Sequence, residues 1–259
     1  MNIAVCVKQV PDTEAPIRIR ADGRGIEEGG LTFVPNYYDE HAIEEALRIK
    51  ERLGGAVTLI TAGPGRAVEA LRAGLAMGAD QAIHIQDAAL EAADHIVLAR
   101  LLAAAIAPLS CDLVLCGRLA TDDNAAIVGP AIAEFLGLPQ ATAVTRLELG
   151  QGTARVHHEV EGAVEILELS LPAVITVERT INEARYPSLP GIMKAKRTAI
   201  TVRTLADLAL APDDLGPPRV ELLSLTPPPR RQAGRILEGE PPAVVKELVR
   251  LLHEEARVL

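Results

Sequence analysis

Apolar and polar positions along the first half of the chain fall into two alternating patterns. Short continuous apolar runs at 3–7, 57–61, 82–85 and 113–116 read as strands buried on both faces. Between them, segments 40–53, 66–77, 94–107 and 125–136 carry apolar residues at helical spacing. Glu44 and Arg48 are spaced for an ion pair on one helix face. Gly54-Gly55 and Gly78 stop the first two helices, and Pro130 breaks or kinks the fourth. Such alternation predicts an α/β fold with a parallel, doubly wound sheet. Residues 17–20 and 30–34 flank the turn Ala-Asp-Gly-Arg-Gly and read as a hairpin excursion.

The second half changes period. Segments 143–149, 154–160 and 164–169 alternate apolar and polar residues between glycine-containing turns, the pattern of an antiparallel meander. Residues 173–177 read as another buried strand. Segments 207–219 and 226–231 are rich in proline and polar residues and read as linkers. Residues 242–253 form a terminal helix with an apolar stripe at 244, 245, 248, 249 and 252. The predicted division is therefore a nucleotide-binding α/β domain over 1–206 and a linker with a C-terminal arm over 207–259.

Composition narrows the function classes. Hydrophobic residues make up 49% of the 259 and aromatics 2%, with no tryptophan, so an ample core must be aliphatic. A net charge of −9 argues against a nonspecific nucleic-acid binder. Cys6, Cys111 and Cys116 form no paired framework, as expected in a reducing, cytoplasmic setting. The opening residues read as a strand rather than a targeting leader, and no run of 18 apolar residues would span a membrane.

Doubly wound sheets bind ligands at the carboxyl ends of their strands. Three segments stand there: Gly63-Pro64-Gly65, the stretch from Gly117 to Asn124, and Asn36-Tyr37-Tyr38-Asp39. Helix N-termini offer free N–H groups and positive partial charge to a phosphate. Asp122, Asp123 and Asn124 are good helix caps, which accounts for them better than a metal or acid–base pair does. His157 and His158 are adjacent in a strand, point to opposite faces and cannot share a metal, so no metal site is expected.

The stretch 182–196 reads Asn-Glu-Ala-Arg-Tyr-Pro-Ser-Leu-Pro-Gly-Ile-Met-Lys-Ala-Lys. It sets Leu189 between Pro187 and Pro190, an apolar tip on a stiff bracket, followed by a basic helical stem. It closely resembles the recognition loop of electron transfer flavoprotein beta subunits, with Ala184 in place of a family proline. Asn36-Tyr37-Tyr38-Asp39-Glu40 resembles another phrase of that family, Asn-Pro-Phe-Asp-Glu. So do Leu-Arg-Ala-Gly-Leu-Ala-Met-Gly-Ala-Asp at 71–80, Pro-Gln-Ala-Thr at 139–142 and the proline–arginine tail at 228–234. The resemblance covers essentially the whole chain.

That resemblance implies a heterodimer with an alpha subunit that holds a redox FAD in a mobile domain. It implies a structural AMP in this chain and no catalytic residues of its own. Electrons would enter from flavin dehydrogenases, such as acyl-CoA dehydrogenases, and leave to a quinone oxidoreductase. The implied nucleotide contacts are Cys6, Asn36, Tyr37, Tyr38, Asp39 and Ala62, together with Gly117, Arg118, Leu119, Ala120, Thr121, Asp122, Asp123, Asn124, Ala125, Ala126, Ile127 and Val128. The implied partner contacts are Glu159, Tyr186, Pro187, Leu189, Pro190, Ile192, Met193, Lys194 and Lys196, within or outside a recognition loop at 180–197. Leu189 would be the docking anchor and Tyr38 would line the flavin ring.

Departures from the family pattern carry consequences. Ala126, Ile127 and Val128 replace polar residues, which leaves backbone N–H groups to meet a phosphate. A bifurcating branch of the family holds a second FAD in this place. Ala126, Val128, Gly129 and Pro130 match that branch, but Asp123 stands where it has glycine, which restricts a larger cofactor. Two other readings are a ligase of the ATP pyrophosphatase type and a stand-alone stress-type nucleotide sensor. The first lacks its glycine-rich loop, since Lys8-Gln9-Val10-Pro11-Asp12-Thr13 occupies that place; the second gives the loop and the arm no purpose.

Overall fold

The computed structural model describes residues 1–229 and 233–259. Arg230, Arg231 and Gln232 of the proline–arginine tail lie outside the described residues. Strand β1 (Asn2–Cys6) is followed by a two-stranded ribbon of β2 (Gln9–Pro11) and β3 (Phe33–Pro35). Then come α1 (Tyr37–Leu53), β4 (Ala56–Ala62), α2 (Val68–Met77), β5 (Gln81–Ile85), α3 (His95–Ile106), β6 (Leu113–Gly117) and α4 (Val128–Leu136). The meander β7 (Gln140–Leu149), β8 (Thr153–Val160) and β9 (Ala163–Ser170) leads into β10 (Ala173–Val177), α5 (Leu189–Arg197), β11 (Thr201–Arg203) and α6 (Pro241–Glu254).

One nine-stranded sheet runs in the order β11-β5-β4-β1-β6-β10-β7-β8-β9. Pairing is parallel from β11 through β7, and antiparallel from β7 to β8 and from β8 to β9. The meander is thus an extension of the main sheet. Period-two alternation divides the buried strands between two cores. Ile3, Val5, Leu113 and Leu115 face α1 and α2, where Ile43, Leu47, Leu71 and Leu75 pack. Ala4, Cys6, Val114 and Cys116 face α3 and α4, where Val97, Leu101, Leu102 and Ile132 pack. Both cores are aliphatic, as the scarcity of aromatics requires.

Local chemistry sets most boundaries. Asp94 caps α3 by accepting from the N–H groups of Ile96 (3.0 Å) and Val97 (2.9 Å). Gly54 ends α1 at φ 74°, a conformation open to glycine. Three sequence expectations change. In the first excursion Phe33 and Val34 do pair, but with Gln9–Pro11 (β2) rather than with 17–20, where a single Ile19–Ile26 bridge forms. The fourth helix starts at Val128 rather than 125, because Asn124 and Ala126 adopt positive φ (53° and 54°). Pro130 then sits in its first turn and needs no kink. Strand β11, too short for a period, adds an edge to the sheet, and Leu205 and Leu215 are buried with the α3–α4 core.

Helix α6 is different. Among the described residues it buries none, and Val245, Leu248 and Val249 stand exposed.

Ile175, at the centre of β10, is fully buried. Ile175→Ala should destabilise the fold by about 2–5 kcal/mol, read from the urea unfolding midpoint. A loss below about 1 kcal/mol would mean that this part of the sheet does not carry the core.

Candidate functional site

The order of strands reverses at β1. The chain proceeds from β1 to β4 and β5 on one side, then to β6 and β10 on the other. Connections leave adjacent strand ends toward opposite faces, and a crevice opens between them. The start of α1 ties this crevice together. Asp39, in the first turn, is buried, and its carboxylate accepts the Lys8 N–H (2.7 Å) after β1 and the Gly117 N–H (3.1 Å) at the end of β6. Gly117 is required for this approach: a Cβ there would collide with Asp39 Oδ1 and with Tyr38. Asn36 precedes the helix but does not cap it. Its Nδ2 donates to the Leu119 carbonyl (2.9 Å) and its Oδ1 accepts the Thr121 N–H (3.1 Å), which pins the loop after β6.

The result is a partly open cleft at the carboxyl ends of the strands, where small-molecule sites of such sheets lie. Cys6, Val7, Ala62 and Cys116 line it from the strand ends, Leu98 and Leu102 from α3, and the loop from Gly117 to Gly129 covers it. Charge gathers at one edge. Lys8 Nζ pairs with Asp122 (2.8 Å) and Asp123 (2.7 Å), and His95 Nε2 lies 3.0 Å from Asp123. Burial alone would raise the Asp123 carboxyl, but hydrogen bonds from Lys8, the Ala125 N–H and His95 outweigh it and hold the pKa at about 2. Asp39 goes the other way: burial pushes it up to about 7 despite its two backbone donors. The Cys116 thiol and burial raise Cys6 well above an ordinary thiol, so it is an inert wall residue rather than a nucleophile.

Most of the nucleotide contacts inferred from the sequence line this cleft. These are Cys6, Asn36, Asp39, Ala62, Gly117, Arg118, Leu119, Ala120, Asp123, Ala125, Ala126, Ile127 and Val128. Tyr37, Tyr38, Thr121, Asp122 and Asn124 do not. Tyr37 is half exposed and packs edge-on against His41 at 4.9 Å, while Tyr38 sits behind Gly117. Thr121 Oγ1 is buried without a hydrogen-bond partner. Phe33 lies beneath the Arg66 guanidinium (3.9 Å). The expected caps at 122–124 are corrected too: α4 starts without a side-chain cap, and Asp123 accepts instead from the Ala125 N–H, Lys8 and His95. Val7, Lys8, His95, Leu98, Leu102, Cys116 and Gly129 line the cleft but were missed. The strand end after Cys6 and the Asp94 cap before His95 were the available signals.

The residues expected from the sequence to meet a partner gather, Glu159 apart, at a second place. Leu189 opens α5 with Pro190 beside it, rather than standing on an extended bracket, and Ser188 caps the helix through the Gly191 N–H (3.1 Å). Tyr186, Pro187, Leu189, Pro190, Ile192, Met193, Lys194 and Lys196 are all exposed, Tyr186 at 96% and Leu189 at 80%. Glu159 is exposed on β8, in the antiparallel arm and apart from this loop.

The model of the electron transfer flavoprotein domain matches residues 25–208. The chain belongs to the electron transfer flavoprotein beta-subunit family. It is 41% identical, over the whole of both chains, to the electron transfer flavoprotein subunit beta of Bacillus subtilis. It is 38% identical to that of Thermoanaerobacterium thermosaccharolyticum over 98% of each chain. To that of Syntrophomonas wolfei it is 36% identical over 100% of this chain and 98% of the other. Membership makes this a chain of electron-transport flavoproteins, and among the described residues no helix is long and apolar enough to cross a membrane.

The raised Asp39 gives a pH signature. Between about pH 4 and about pH 7 the folded state holds a proton that the unfolded state has lost, so this group's contribution to stability falls as pH rises through that window. Asp39→Asn removes the titration, and unfolding midpoints measured across the window should decline less in the variant. Parallel profiles would mean that Asp39 ionises at its ordinary pH.

Proposed function

We propose that the chain is the beta subunit of a heterodimeric electron carrier and works as a nucleotide-stiffened docking platform, not as an enzyme. The observation that carries this reading is the pairing, in one member of this family, of an apolar-walled cleft at the strand-order reversal with an exposed apolar tip on α5. The cleft suits AMP. Val7, Leu98 and Leu102 offer apolar walls to an adenine, and the uncapped start of α4 offers N–H groups to a phosphate. Asp122 and Asp123, held on Lys8 at one edge, disfavour a larger cofactor with a second phosphate there.

In this reading the alpha subunit holds the FAD, which supplies the electron-carrying chemistry of the complex. This chain gives the FAD domain a base, with Tyr38 and Glu159 facing it and the arm at 207–259 packing on the alpha subunit. The exposed apolar stripe of α6 supports that role for the arm. Electrons come from flavin dehydrogenases such as acyl-CoA dehydrogenases, docked at Leu189, and pass to a quinone oxidoreductase in the cytoplasmic system.

Denaturing the purified heterodimer and quantifying released nucleotides tests the cleft. One FAD and one AMP per heterodimer are expected; two FAD and no AMP would make the cleft a second flavin site. Leu189→Ala tests the tip. Burying one leucine is worth about 1.5–3 kcal/mol, so the variant should weaken dehydrogenase docking about tenfold to a hundredfold with FAD content intact. Unchanged transfer rates would remove the anchor.

A further inference from the structure

The tip is exposed, but the chain leading to it is firmly held. Arg185 directly precedes Tyr186 and spans two carboxylates of α1. Its Nε and Nη2 donate to Glu44 (2.7 and 3.2 Å), and its Nη1 and Nη2 donate to Glu51 (2.5 and 3.2 Å). Its backbone N–H also donates to Glu44 (3.2 Å). The Glu44 side chain is only 3% exposed, and Arg48 shares it at 2.6 Å while donating to the Glu183 carbonyl at 2.9 Å. Burial would raise Glu44, but the hydrogen bonds from Arg185 and Arg48 overcome it and hold the carboxyl low. Beyond the tip, the Arg72 guanidinium donates to the carbonyls of Ala195 and Thr198. Gly191 lies so close to the Ala76 carbonyl that a Cβ would not fit.

The segment is thus pinned at 185 and again from 191, and exposed between. Exposed surface ion pairs contribute little to stability. This one is partly buried, forked, shared by two guanidiniums and placed beside the most exposed aromatic residue of the chain. We propose that Arg185 is a positioning residue for docking: its clamp on Glu44 and Glu51 presents Tyr186 and Leu189 in one ordered arrangement before a partner arrives. The inference rests on the docking reading above and assigns a role that reading leaves open. Its physical basis is preorganisation, since a tip already ordered loses less freedom on binding. Arg185 acts through the tip and contributes no partner contact itself.

The test uses the intact heterodimer with its FAD and, as probe, a purified acyl-CoA dehydrogenase reduced by its acyl-CoA. Wild type, Arg185→Ala, Leu189→Ala and the double variant are compared. Arg185→Ala should raise KM for the dehydrogenase roughly three- to thirtyfold with kcat unchanged. Hydrogen exchange of free heterodimer should quicken across 186–192 and nowhere else. The double variant should lose less than the sum of the two single losses, because the clamp acts in part through the anchor. An unchanged KM in Arg185→Ala beside a raised KM in Leu189→Ala would overturn the clamp and leave the docking reading standing. Additive losses in the double variant would also overturn it, since Arg185 would then act independently of the tip. No effect in Leu189→Ala would remove the docking reading and this inference with it. If Arg185→Ala does not assemble, Glu51→Gln loosens only the exposed half of the clamp and should raise KM two- to threefold; no change there would overturn the proposal.

Discussion

A single buried carboxylate holds the organisation of the site. Asp39 enters from the first turn of α1 and joins the ends of β1 and β6, the two strands between which the order of the sheet reverses. Taking a carboxylate out of water costs several kcal/mol unless donors meet it. Here two backbone N–H groups, one from each strand, offset part of that cost, and the remainder shows as the raised pKa of Asp39. The consequences spread outward. Gly117 must lack a side chain, α1 must begin at the crevice, and Asn36 is placed to hold the loop that covers the cleft.

The same helix reaches the segment that leads to the exposed α5 tip. Its 17 residues span about 25 Å. Its first turn shapes the cleft, and Glu44, Glu45, Arg48 and Glu51, at helical spacing further along, hold the segment 182–185. Asn182 adds to the attachment by donating to the His41 carbonyl (3.0 Å) and to Glu45 (3.1 Å). One rigid element therefore fixes the cleft and the base of the tip relative to each other. On the proposed reading, a nucleotide that stiffens the start of α1 would act on the element from which the tip is hung, a mechanical purpose without any chemistry.

Legibility in the sequence followed the strength of the local signal. The buried strands and the helices between them were legible because burial on both faces leaves long apolar runs, and residues 173–177 coincide with β10 to the residue. The meander was legible because one solvated face imposes period two. Two kinds of feature were not. Residues 125–127 look helical from composition, but Asn124 and Ala126 at positive φ delay the helix, and an alanine gives no warning of that conformation. Lys8, His95 and Leu98 reach the cleft through pairing between distant strands and helices, and no local pattern records which neighbours the topology supplies. Arg185 was visible as a letter in a family phrase, but its partners lie more than 130 residues earlier in the chain.

The apolar surface that this fold leaves uncovered has two forms. On β9, Val164 and Ile166 are exposed on one face, and on α6 Val245, Leu248 and Val249 make a stripe. Extended apolar faces of this kind match large, permanent interfaces. The α5 tip instead offers Tyr186 and Leu189 on a short, clamped stem with Lys194 and Lys196 behind it. A small contact area limits affinity, and flanking charge speeds encounter more than it prolongs residence. On the proposed reading the two forms divide the work. Broad faces keep the subunit with its lasting partner, while the tip holds each electron donor only long enough for the mobile flavin domain to reach it. Preorganisation by Arg185 reconciles the two demands on that tip, because it supplies specificity without the area that would make release slow.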